Sequence, residues 1–439
     1  MSGINVVRRF FRGPLMEVRD FRLLLVGFAV SKVGSQVTLV ALPLVAVLEL
    51  DASPFELGLL TATETATLVV AGLPAGVWVD RIPRLPVLVH TDLLRFAAIS
   101  SIPVTAAFEY LSMAQLYVVA SVTGAATVLY DVANQSAVPT ILPRERLIGG
   151  NGAVAGVQSS AEVMGPGFGG GLVQVVGAPL ALLADSISYL VSAVLLLRIK
   201  VRETVVKTAT RRSLRKEITE GVGFVLRHPL LRVIAVTTGL ANLFTAFLFV
   251  VQVVFWTKVL LLSPLSIGLV LSASALGGLA GALLVQRLAA RVGQVRLILL
   301  SLVVTSPFAL LWPLSSGAWG SVTFAVGLAV VWFGAIVYNI AQLTFRQLVC
   351  PNELLGRMNA TMRFVASAVM PLGAVAGGAL ATAAGPRAAL WICAVGFLSG
   401  PVPLLLSPFR RLRDSPAEPD EGSRDEAAGD VTEGVAPDG

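Results

Sequence analysis

Residues 23–48 read LLLVGFAVSKVGSQVTLVALPLVAVL, an apolar run with one charged residue, Lys32. A hydrocarbon core of about 30 Å needs roughly 20 residues of apolar helix. Five arginines precede the run: Arg8, Arg9, Arg12, Arg19 and Arg22. A secretory signal has an apolar core of only about 7–15 residues, followed by a small-residue cleavage site. The stretch therefore reads as a retained first membrane span.

Outward from it, eleven further runs of this kind follow, roughly 55–78, 86–108, 114–137, 150–174, 178–198, 230–257, 265–287, 296–314, 320–344, 359–382 and 388–407. The chain is 55% hydrophobic and 13% charged, against about 25% charged in an ordinary soluble domain. Lipid is the solvent for most of it, and the expected fold is an all-α polytopic membrane protein of twelve transmembrane helices. The two histidines, His90 and His228, and two cysteines, Cys350 and Cys393, support neither a metal centre nor a disulfide framework.

Basic residues set the orientation, because Lys and Arg concentrate in loops on the inner side. One set of loops carries Arg81 and Arg84, Arg144 and Arg146, Arg287 and Arg291, and Arg346 and Arg357. The opposite set holds only Lys258 and Arg387. Both termini are expected inside, at the cell membrane. The domains read as a basic N-terminus (1–21), a six-helix bundle (22–198), a basic linker (199–229), a second six-helix bundle (230–408) and an acidic tail (409–439). Within the linker, Leu214, Ile218, Val222, Val225 and Leu226 fall on one helical face, either lying on the inner membrane surface or packed on the protein's own loops. The tail has nine Asp or Glu from residue 414 onward and almost no large apolar side chain, so it reads as disordered.

The two bundles repeat each other. Tyr130 matches Tyr338, Asn151 matches Asn359, Gly165 matches Gly373, and Gly169-Gly170 matches Gly377-Gly378, all at an offset of 208. Ser53-Pro54 and Gly58 match Ser263-Pro264 and Gly268 at an offset of 210. An even number of spans per repeat makes the halves parallel, with a binding site between them near the midplane.

The second loop reads Gly76-Val-Trp-Val-Asp80-Arg81-Ile-Pro83-Arg84, and span five contains Gly165-Pro166-Gly167-Phe168-Gly169-Gly170. The first resembles the G-x-x-x-D-[RK]-x-G-[RK]-[RK] loop of the major facilitator superfamily, with Pro83 in place of its glycine. The second is similar to the G-P-x-x-G-G signature of the family's antiporters. The same letters also satisfy G-x-G-x-x-G, but no strand precedes them and apolar helix surrounds them, which rejects a dinucleotide loop. The basic residue that the family carries in span four is missing here. Asp92-Leu-Leu-Arg95, Pro143-Arg-Glu-Arg-Leu147 and Pro351-Asn-Glu-Leu resemble the branch of enterobactin and macrolide exporters. That resemblance implies export, and a latch between the cytoplasmic ends of the halves at the Asp80 loop.

An ionisable residue at bilayer depth costs about 2.5–3.5 kcal/mol on insertion scales, so each needs a partner or a purpose. Lys32, Glu64 and Glu162 fall near the midplane, with Gln36 and Gln158 one turn away on polar stripes; Asn242 and Gln252 stripe span seven. These are the candidates for proton coupling or substrate binding, with Glu162 and then Glu64 as the coupling acid and Lys32 as the switching partner. A static Lys–Glu pair that fixes packing stays open. Asp92, Arg95 and Asp131, with Gly76, Asp80, Arg81 and Arg84, are read as a cytoplasmic gate; Asp185 and Arg363 as structural. Gly165, Pro166, Gly169 and Gly170 form the antiporter-like motif.

The reading is a proton-driven exporter of a small amphipathic organic compound, not an enzyme, acting as a monomer with a substrate, protons and the lipid bilayer as its partners. It needs no cofactor, no nucleic acid and no ATPase subunit. An importer on the same fold and a lipid-modifying membrane enzyme are the rivals; the enzyme lacks the clustered Asp or His that metal–phosphate chemistry uses. An ATP-driven pump lacks a phosphate-binding G-x-x-x-x-G-K-[ST] loop in this chain.

Overall fold

The computed structural model describes residues 15–79, 82–201, 223–350 and 352–407. Asp80, Arg81, the tail, and the linker from 202 to 222 with most of its apolar face lie outside the described residues. Among those described there are helices and no strands. They are α1 (Arg19–Leu48), α2 (Pro54–Val79), α3 (Arg84–Ala107), α4 (Met113–Ile141), α5 (Leu147–Val176), α6 (Ala178–Leu197), α7 (Pro229–Lys258), α8 (Pro264–Val292), α9 (Gln294–Thr305, continued to Leu314), α10 (Gly320–Val349), α11 (Asn352–Ala368 and Met370–Ala384) and α12 (Pro386–Ser399, continued to Leu405). Ten of these rods are long and apolar enough to cross a membrane. The other two, α2 and α5, have 26 and 30 residues and complete an element order compatible with twelve spans.

Local chemistry starts and stops these rods. Ser53 caps α2 in a reciprocal box: its Oγ accepts from the Glu56 N–H at 3.2 Å, and Glu56 Oε2 accepts from the Ser53 N–H at 2.8 Å. The repeat mate Ser263 caps α8 by accepting from the Ser266 N–H. Proline follows each cap at the first helical position, where its missing N–H costs nothing. Between α5 and α6, and at the repeat-related corner between α11 and α12, one glycine turns the chain: Gly177 at φ 85° and Gly385 at φ 82°, a region L side chains avoid.

Each half is a bundle assembled the same way. In the first, α1 packs against α5 and α6, α2 against α4, and α3 against α4 and α6; in the second, α7 packs against α11 and α12, α8 against α10, and α9 against α10. The halves meet through two repeat-related seams, α5 on α8 and α2 on the second segment of α11. Large apolar residues such as Leu197, Leu283, Val304 and Val395 stay exposed around the outside, as a lipid-facing surface requires.

Candidate functional site

The seams that close the molecule are backbone-on-backbone crossings made by glycine. A Cβ on Gly170 would fall on the Pro264 carbonyl oxygen and 3.0 Å from Gly268 Cα; one on Gly378 would lie 3.0 Å from Gly58 Cα. Gly167 N–H also donates to Ser272 Oγ across the first seam at 3.0 Å. Gly58 and Gly268 stand one turn inside the ends of α2 and α8 that lie away from the chain termini. At 1.5 Å per residue, both crossings sit about 6–9 Å from that far end. On the termini side, α2 touches the first segment of α11 at few positions. The seams therefore shut the far end and leave the halves splayed toward the termini.

Two adjoining cavities occupy the space between the halves, of about 470 and about 400 Å3. They share Gln36, Leu39, Phe249, Gln252 and Leu271 as a common wall. The larger has Glu162 and Pro166 on one side, and Trp312, Trp332 and Phe397 on the other. The smaller has Lys32, Glu64, Gln158 and Tyr189 on one side and Trp256 on the other. Charge thus comes from the first half and all the aromatic surface but Tyr189 from the second, a lining suited to a compound with both a polar and an apolar part.

The ion pairing differs from the pairing the sequence suggests. Lys32 Nζ lies 3.1 Å from Asp131 Oδ1 on α4, not against Glu64 or Glu162. Glu162 accepts from the Gln158 amide within its own helix. Glu64 is exposed into the smaller cavity, and no hydrogen bond or ion pair to it occurs among the described residues. Gln252 is buried with its Oε1 lacking a partner, on the wall common to both cavities. Asn242 is on neither wall; its Nδ2 donates to Thr238 O at 2.9 Å. Gly165, Gly169 and Gly170 are buried along α5, the first two packed on Gln36 and Val37 of α1.

Asp92 and Arg95, read as parts of a cytoplasmic gate, sit well inside α3, about 12 and 17 Å from its termini-side end. They are buried within the first half. Arg95 Nη2 meets Asp92 Oδ1 at 2.5 Å. Its guanidinium lies between two aromatic faces, 4.3 Å from the Tyr130 ring and 4.4 Å from the Tyr189 ring, contacts that strengthen when desolvated. Asp185 of α6 is wholly buried nearby, accepting from Thr38 Oγ1 and from Ser188 Oγ. The sequence reading assigned Asp185 to structure alone; its signal was the stripe Asp185, Ser188, Tyr189, Ser192 at helical spacing on an otherwise apolar span. The stacking on Arg95 has no sequence signal, because its two tyrosines come from different helices.

Comparison with known proteins agrees with this architecture. The multidrug efflux pump Tap of Mycolicibacterium fortuitum is 28% identical over 413 residues, covering 90% of this chain and 94% of that protein. Tap of Mycobacterium bovis (strain BCG / Pasteur 1173P2) is 27% identical over 429 residues, covering 93% and 97%. Among solved structures, the nucleoside transporter NupG superposes with a TM-score of 0.74 at 10% identity, covering 90% of this chain and all of that one. A bacterial homologue of the iron transporter ferroportin in an inward-facing state gives 0.68 at 16% identity, covering 90% and 99%. These likenesses extend to the fold. The Major Facilitator Superfamily model matches residues 24–373 and 243–436, and the chain belongs to that superfamily.

Proposed function

We propose that this chain exports small amphipathic organic compounds across the cell membrane in exchange for protons, working by alternating access as a monomer with both termini inside. The observation that carries the reading is Glu64, a carboxylate without a partner on the wall of a cavity whose opposite side is aromatic. An acid that faces the cavity alone is free to gain and lose a proton as water reaches or leaves it. The Tap relatives, named as multidrug efflux pumps, support the outward direction. With the termini inside, the closed glycine seams make this an inward-open state, ready to load from the cytoplasm.

Glu64 takes the coupling role ahead of Glu162, whose carboxylate is already engaged by Gln158. Lys32 with Asp131 contributes a neutral pair to the wall. Gln36, Gln158 and Gln252 offer amides to the substrate. The loop Gly76-Asp80-Arg81-Arg84 is assigned the cytoplasmic latch on its resemblance to the family signature.

Expression in a susceptible strain should lower accumulation of an amphipathic fluorescent dye, and a protonophore should restore it. Loss of accumulation that survives the protonophore, or dye uptake instead of loss, rejects the proposal. Sidedness has its own check. Single cysteines near Ser53, Ser112, Lys258 and Ser316 should react with an impermeant maleimide in intact cells, and those near Arg84, Arg212 and Arg357 should not. The reverse pattern inverts the topology.

A further inference from the structure

The first half contains an ionisable centre set behind the cavity wall. Asp92 and Asp185 are 0% exposed and Arg95 1%. The charged and titratable groups facing it are Lys32 from α1, Tyr130 and Asp131 from α4, and Tyr189 from α6. Lys32 and Asp131 neutralise each other, and their side chains are 15% and 43% exposed, so cavity water reaches that pair. What remains behind the wall is one guanidinium and two carboxylates. With both acids ionised, the fully buried part would carry one uncompensated negative charge, which an apolar interior strongly disfavours.

The hydrogen bonds say where that charge is relieved. Asp92 Oδ1 takes Arg95 Nη2, so the guanidinium is paired directly with this acid. Asp185 has only hydroxyl partners, Thr38 at Oδ2 and Ser188 at Oδ1, the latter at 3.2 Å, and no cation at ion-pair distance among the described residues. A hydroxyl accepts as well as donates, so a proton on Asp185 Oδ2 keeps both contacts, whereas a proton on Asp92 would weaken a buried ion pair.

We infer that Asp92, Arg95 and Asp185 form a proton-binding centre distinct from the substrate cavity, with one proton held at Asp185 Oδ2. The path to it runs through the wall. Thr38, Ser35 and Tyr189 all line the smaller cavity; Thr38 donates to Asp185, and Ser35 Oγ lies 3.0 Å from Tyr189 Oη. Loading takes a proton from cavity water: an O–H bond forms at the carboxylate and one breaks on hydronium, with no change in oxidation state. The centre does not depend on Glu64 or on the direction of transport.

The test is infrared spectroscopy of the purified full-length protein in lipid at neutral pH, in an E64Q/E162Q background that silences the cavity acids. A protonated carboxylic acid C=O stretch is expected, shifting on transfer to D2O. Asp185→Asn should abolish it while keeping normal abundance, because the amide donates where the acid O–H did. Asp92→Asn should also abolish it, since Asp185 then becomes the sole buried counterion of Arg95 and ionises. Thr38→Val should leave the band in place and slow its deuterium shift. Absence of the band in the E64Q/E162Q protein overturns the inference, and this result needs no further variant. So does a band that persists in Asp185→Asn, or in Asp92→Asn should Asp185→Asn fail to accumulate.

Discussion

Glu64→Gln is expected to abolish concentrative transport while leaving substrate binding near the wild-type level. The side chain keeps its size and its place on the cavity wall, so the aromatic side that faces a substrate is undisturbed. What is lost is a group able to exist with and without a proton. A one-unit pH gradient is worth about 1.4 kcal/mol per proton, so a carrier exchanging one proton for one uncharged substrate can hold about a tenfold concentration ratio. The variant should relax to a ratio near one under the same gradient, and still catalyse downhill exchange. Glu162→Gln is expected to retain uphill transport, because Glu162 is tied to Gln158 on its own helix. Accumulation in vesicles under a fixed pH step, with binding measured in parallel, separates the two. Equal uphill transport by wild type and Glu64→Gln would remove Glu64 from coupling.

Gly170→Val is expected to hold the far end of the cavity open. A side chain there meets the Pro264 carbonyl and Gly268 backbone on the other half, and backbone cannot step aside as a flexible side chain can. Overpacking of this kind costs about 1–3 kcal/mol, which shifts a two-state population roughly five- to 150-fold. The cost falls only on the closed state, because the contact joins two bundles that are each complete without it. Protein abundance should therefore stay normal while transport falls by a similar factor. Gly378→Val should act likewise through the repeat-related seam with Pro54 and Gly58. A cysteine at Gln36 should become reactive from outside in both variants. Unchanged reactivity together with normal transport would show that the seams are not the gate.

The rods were legible because apolar run length reads directly as span length. Even so, the run drawn to 287 stops short of the end of α8 at Val292, and the run drawn from 359 misses the start of α11 at Asn352. A helix does not stop where lipid ends, and polar turns standing in water carry no hydropathy signal. The far-end seams follow the repeat, since Gly170 on Gly268 and Gly378 on Gly58 are equivalent contacts, but the offsets alone do not say that these glycines touch. Lys32 and Glu64 line the smaller cavity and Glu162 the larger, but depth along a helix does not say which acid faces Lys32. That choice depends on how α1 and α4 are rotated, which put Asp131 opposite Lys32. The tyrosine sandwich around Arg95 was hidden for the same reason, since three different helices supply it, and Asp185 was legible as an acid in its span but not as a neighbour of Arg95.

The central claim is that substrate leaves against its gradient because protons enter along theirs. Purified protein in proteoliposomes, without ATP, loaded with an amphipathic fluorescent dye on one side and given an imposed pH gradient, tests it most directly. Dye should move uphill only when the opposite side is acidic, together with a counterflow of protons that stops when the dye is omitted. Uphill dye movement without a pH gradient, or dye and protons moving in the same direction, would contradict the account.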